Sequence, residues 1–190
     1  MKYLSIGFLF FATLFLTACG SGHNHEHGTV EFEIEEKEGL GFETSETFKA
    51  SIESALDHYF ALSEALVRAD ASNASIHAQA FLATLKSISY DNLSEEAGSA
   101  WAGNVELAVE RSETLSGLQD IEEQRYQFEY ISEVMIDVVQ AFGPLSFTVY
   151  QQRCPMVRGG AADWLSKDRA ILNPYHGDRM LRCGGIVREI

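Results

Sequence analysis

The sequence predicts a mainly α fold, an antiparallel four-helix bundle followed by a small irregular or β C-terminal subdomain. Two observations carry this. Apolar residues recur at three- and four-residue spacing from about Thr47 to Phe142, the period of a helix with one buried face. After Pro144 that period gives way to alternation and glycine-rich turns. Breaks between the helical stretches are short, which favours antiparallel neighbours.

The first helix begins after Thr44 or Ser45, either of which can cap it, and turns Phe48, Ile52, Leu56, Tyr59, Leu62 or Ser63, and Leu66 inward. A second is predicted from Ser72 to Ile88, with Ile76, Ala80, Phe81, Leu85 and Ile88 facing the core. Ser94 caps a third, which runs through Trp101, Val105, Ala108, Val109 and Leu115 to Gly117. The fourth has the clearest period: Ile121, Gln124, Phe128, Ile131, Met135, Val138 and Phe142, stopped by Gly143-Pro144. Beyond it, Leu145, Phe147 and Val149 alternate with polar residues as in a strand, and Ile186 to Ile190 suits a closing strand. Trp164, Tyr150 and Tyr175 read as the core of this subdomain.

The start of the chain predicts a location. Lys2 and the apolar run from Leu4 to Leu16 have the form of a signal peptide, too short for a membrane span. The run ends in Leu16-Thr17-Ala18-Cys19, similar to a bacterial lipobox. Residues 1–18 are therefore expected to be removed and Cys19 acylated. Such a lipid anchors a chain to a membrane without crossing it. The expected place is the bacterial cell envelope, facing the periplasm. Residues 19–46 read as a flexible tether rich in His and Glu, 47–143 as the bundle and 144–190 as the C-terminal subdomain.

Charge and missing motifs narrow the function. The net charge is −14, against the basic stripe that nucleic acid requires, so no nucleic-acid partner is expected. Residues 51–149 carry a net −12, whereas 150–190 carry +3. A ferritin-like di-iron site needs Glu-x-x-His on two helices, but Ala55 precedes His58 and Ala74 precedes His77 at that spacing. No haem-attachment, zinc-protease, nucleophile-elbow or phosphate-loop motif occurs. An enzyme is not expected.

The chemistry concentrates in Tyr150 to Gly185. Cys154-Pro155-Met156 and Met180-Leu181-Arg182-Cys183, with His176 between them, place two thiols and two thioethers in about thirty residues. Such donors select Cu(I) over harder divalent ions. Pro155 favours extended backbone at Cys154, and Gly184-Gly185 permits a close turn beside Cys183. The same two cysteines, in an oxidising compartment, also suit a disulfide, and a disulfide excludes a thiolate site. Both readings stand on the sequence. His23, His25 and His27 in the tether form a second, weaker metal-binding tract.

Several ordered motifs carry a resemblance. Tyr59-Phe60-Ala61-Leu62, Ala65-Leu66-Val67 and Asp70, Gln124-Arg125 with Phe128, Cys154-Pro155-Met156, Trp164-Leu165-Ser166, Asn173-Pro174-Tyr175, Gly177, and Met180-Leu181 before Cys183-Gly184 together resemble the bacterial family of domains of unknown function numbered thirty-three forty-seven. The resemblance runs from about residue 48 to 190. Members of that family are periplasmic lipoproteins or C-terminal domains of heavy-metal efflux adaptor subunits. The resemblance thus implies copper or silver handling, with such an adaptor or another envelope protein as partner. Small metal-binding domains near the same pumps have a His after Cys-Pro-Met, where this chain has Val157. The expected metal donors are Cys154, Met156, Met180 and Cys183, with His176 as a fifth. The alternative is a non-catalytic interaction module with a disulfide-stapled docking surface.

Overall fold

The computed structural model describes residues 41–190. Four helices, α1 (Glu46–Val67), α2 (Ala71–Ser87), α3 (Glu95–Gly117) and α4 (Ile121–Phe142), precede three strands, β1 (Tyr150–Val157), β2 (Gly160–Ser166) and β3 (Gly185–Glu189). A short 3-10 turn, Gly177–Met180, lies between β2 and β3. The expected signal peptide, Cys19, the tether histidines His23, His25 and His27, and most of the tether lie outside the described residues.

Each helix starts at a side-chain cap. Ser45, Asp70, Ser94 and Asp120 accept from amides of their own first turns, which otherwise lack partners. At the far end of α4, the Gly143 amide donates to the Val139 carbonyl and Pro144 has no amide to continue the ladder. Links of three, seven and three residues fold α1 on α2, α2 on α3 and α3 on α4.

The inward set of α2 is Ala74, Ser75, Ala78, Phe81 and Leu85; Phe81, Leu85 and Ile88 are buried as expected, whereas Ile76 and Ala80 are not. Ile76 is 55 % exposed, and Ala80 is only partly buried. Alanines on the buried row let α2 lie close between α1 and α3, and that tight fit fixes the phase rather than the single larger Ile. The α2 boundary is also shifted: with Asp70 as its cap, the helix starts at Ala71, one residue before the predicted start.

The strands form one antiparallel sheet in the order β2-β1-β3. The expected strand at Leu145, Phe147 and Val149 is not regular. Residues 143–149 form an irregular link, and only Val149 enters the ladder, exchanging both backbone bonds with Ile190. The link is held from outside the sheet, since the Ser146 amide donates to Glu53 of α1 and Phe147 faces Phe60. The regular hairpin starts where Gln151, Gln152 and Cys154 can be buried.

Helices and sheet share one buried cluster, which includes Tyr59, Phe81 and Phe128 together with Cys154, Val157, Trp164, Leu165 and Tyr175. Tyr59 stacks on Phe128 at 5.0 Å. Its hydroxyl bonds Ser132 at 2.8 Å and accepts from the Leu165 amide at 3.0 Å. That amide is on the side of β2 away from β1, so a helix side chain satisfies this part of the sheet edge. Arg125, 4 % exposed, is a second clasp. It donates to the carbonyls of Leu66 at 2.8 Å and Pro174 at 3.0 Å, and to Glu122 at 2.7 Å. Gly177 fits beneath it at φ +57°, where a Cβ would lie 2.5 Å from the guanidinium. Trp164 and Tyr175 are core residues as expected, at 1 % and 4 % exposed. Tyr150 is only half-buried and carries Arg169 over its ring.

Candidate thiol site

Cys154 enters the core from β1. It pairs with Ala162, and the next registered pair is Val157 with Gly160. Two residues, Pro155 and Met156, thus oppose Ala161 alone, which is a β-bulge. In regular strand alternation Met156 would share the inward face of Cys154. The extra residue gives that place to Val157 instead, and Pro155 at the bulge has no amide to offer the ladder. Cys154 is therefore fully buried while Met156 is 58 % exposed.

Cys183 arrives from the other side. Its amide donates to the Met180 carbonyl at 2.9 Å, and its carbonyl accepts from Asn173 Nδ2 at 2.9 Å. Gly184 follows at φ +136°, so close to β1 that a Cβ would lie 2.6 Å from the Arg153 carbonyl. Gly185 then pairs with Arg153 to begin β3. These restraints bring Cys183 beside Cys154, with the two Sγ atoms 3.5 Å apart. A disulfide would need ~2.0 Å, and both cysteines are free thiols.

The hub of this turn is Asn173, which is fully buried. While its Nδ2 donates to Cys183, its Oδ1 accepts from the backbone amides of Tyr175 at 2.9 Å and His176 at 3.2 Å, and its backbone amide donates to the Leu181 carbonyl. One side chain thus ties both ends of the excursion that carries His176, Met180 and Cys183. Asn173 stands in the Asn173-Pro174-Tyr175 motif, which does not itself show this role. A buried Asn before Pro is a turn signal, but its long-range partner has no local signature.

Met180 is half-buried in the 3-10 turn, adjoining Cys183 through its carbonyl. His176 Nε2 donates to the Met156 carbonyl at 3.0 Å, and in the neutral ring this leaves Nδ1 with the lone pair. Among the described residues, no three His, Cys, Asp or Glu side chains converge as a metal-binding group. The feature that the fold assembles is the pair of thiols.

Burial raises the Cys183 thiol from near 9 to about 11, with the adjacent Cys154 adding to the effect. At neutral pH it keeps its proton. A metal ion taken up as a thiolate complex must displace protons here, so uptake strengthens as pH rises.

The comparisons address the helical part. The family described as protein of unknown function (DUF3347) matches residues 55–146. That segment is a DUF3347 domain. It spans most of α1 and all of α2 to α4. The sheet, both thiols and His176 lie beyond it, although the motif resemblance extends to residue 190. No curated protein and no solved structure matches the chain.

Proposed function

We propose that this DUF3347 protein is an envelope lipoprotein that binds a soft monovalent metal ion, Cu(I) or Ag(I), for copper homeostasis or efflux. Cys154 and Cys183 are its primary ligands. Met180, half-buried three residues before Cys183, and His176 serve as supplementary donors, and Met156, which the bulge turns outward, is a further candidate. The observation that supports this most is the 3.5 Å separation of two free thiols held by the backbone on both sides. Zn requires about four nitrogen or sulfur ligands in a closed site, and no third His, Cys, Asp or Glu joins the pair among the described residues. Two sulfurs with thioethers nearby suit a soft ion of low coordination number. The ion passes to an efflux adaptor or another envelope protein, and acylated Cys19 keeps the chain at the membrane. No catalytic step is part of this reading.

The test is competition of the reduced full-length protein with a Cu(I) chelator. About one Cu(I) per chain is expected, with Zn competing poorly. Changing Met156 and Met180 to Leu should weaken binding with a stability cost under ~1.5 kcal/mol. Binding no stronger than that of a Cys154→Ser, Cys183→Ser variant rejects the reading. The alternative, a disulfide-stapled interaction module, is favoured by the same proximity of the sulfurs. It expects no titratable Cys154 or Cys183 thiol in protein isolated without reductant, and no effect of the Met changes on metal uptake.

A further inference from the structure

The separation that suits a bridging ion also leaves the sulfurs only about 1.5 Å short of a disulfide. The surroundings accommodate that closure. Cys154 adjoins a bulge and Cys183 precedes two glycines, both places where the chain adjusts without breaking a regular ladder. Exposure gives the reaction an order. Cys154 is fully buried and Cys183 half-buried, so an external oxidant meets Cys183 first.

We propose that the pair is a redox gate: the dithiol takes up a soft ion, the disulfide cannot, and a bound ion protects the dithiol from oxidation. The gate rests on the metal-binding reading, whereas closure of the disulfide rests on the geometry alone. The oxidant is a small-molecule disulfide. The Cys183 thiolate attacks one of its sulfurs, forming a mixed disulfide and releasing one thiolate. The Cys154 thiolate then attacks Cys183 Sγ, forming the internal bond and releasing the second. Two electrons pass to the oxidant, and the two cysteine protons end on its two thiols. A metal ion shared by both sulfurs occupies the lone pairs that these attacks require. Conversely, the disulfide has no thiolate to offer a metal.

The experiment uses the full chain with Cys19→Ser, so that Cys154 and Cys183 are its only thiols. Glutathione disulfide is the oxidant and Ag(I), which undergoes no redox change itself, is the probe. The reduced chain should hold about one Ag(I) and show two thiols after denaturation. The oxidised chain should be monomeric, lighter by two hydrogens and without thiols, and should hold none. Preloaded Ag(I) should slow thiol loss at least about tenfold. The gate is overturned if the internally oxidised chain takes up Ag(I) as well as the reduced one, or if loaded and unloaded chains oxidise at one rate. It is also overturned if oxidation ends in a glutathione adduct or an intermolecular dimer. Failure of the underlying reading looks different: the disulfide closes, but the reduced chain holds no more Ag(I) than Cys154→Ser, Cys183→Ser. The single Cys183→Ser variant, at the half-buried position, provides the baseline if the double variant does not fold.

Discussion

At Gly184 the backbone has φ +136°, and a Cβ would meet the Arg153 carbonyl at 2.6 Å and the Trp164 ring at 3.2 Å. A side chain there is excluded twice, by conformation and by backbone that cannot rotate away. Gly184→Ala is expected to cost about 1–3 kcal/mol in denaturant unfolding. It should also slow formation of the Cys154–Cys183 disulfide, read as thiol loss against time, because Cys183 must move off β1. The Cys183 thiol itself gives a pH prediction. Its folded value is raised from near 9 to about 11, so between these values the folded chain binds more protons than the unfolded one. Stability is then present below pH 9 and falls as pH rises toward 11. Buried Tyr59 and Tyr175 are raised as well and push in the same direction. The contribution of Cys183 is therefore the difference between the reduced wild type and Cys183→Ser, with wild type expected to lose more thermal stability from pH 9 to 11. Equal losses would refute it.

Helix α2 separates residue size from burial. Ile76 is a large apolar side chain yet 55 % exposed, while Phe81 is fully buried. Ile76→Gln should change stability by less than about 0.5 kcal/mol, and Phe81→Ala should cost about 3–5 kcal/mol, both measured by denaturant titration. A cost at Ile76 comparable to that at Phe81 would show that α2 packs with the inward set expected from its sequence. Helices α1 and α4 were legible because their buried rows are built from large apolar residues, as in Ile52, Leu56 and Tyr59 or Phe128, Ile131 and Met135, and in α3 Trp101, Val105 and Leu115 mark the row among smaller residues. On α2 the row begins with Ala74 and Ala78, and alanine occurs on any face of a helix. Among the β elements the closing strand was legible, but the β1–β2 hairpin lies in a stretch whose glycines and turn residues conceal it, and Leu145 and Phe147 alternate while packing outside the sheet. At the thiol site the two cysteines and the role of the glycine after Cys183 could be read from residue type and order. The bulge that exposes Met156 could not, since it depends on register with Gly160 and Ala162 on the partner strand.

At the scale of the whole molecule, the acidic helices and the basic C-terminal segment attract one another, yet charge is not what joins them. The pairs Lys167 with Asp57 and Arg179 with Glu122 are largely exposed, and such pairs contribute ~0–1 kcal/mol each. The joint is apolar and hydrogen-bonded: Trp164, Leu165 and Tyr175 pack into the core with Tyr59 and Phe128. Tyr59 and Arg125 also bond main-chain groups of the C-terminal segment. An aromatic side chain buries on the order of 150–250 Å², which at ~25 cal/mol per Å² is roughly 4–6 kcal/mol each as an upper bound. Against a total stability of about 5–15 kcal/mol, the helices lose much of what holds them when the sheet is removed. A chain ending at Gly143 should therefore keep helical far-ultraviolet dichroism but lose its near-ultraviolet signal, bind a hydrophobic dye and melt without a sharp transition. The exposed surface of Tyr59, Phe128 and Ser132 is what the dye would find. A sharp melt within a few degrees of the full chain would instead show that the four helices fold independently of the sheet, and the thiol pair would then be carried on a module able to detach from them.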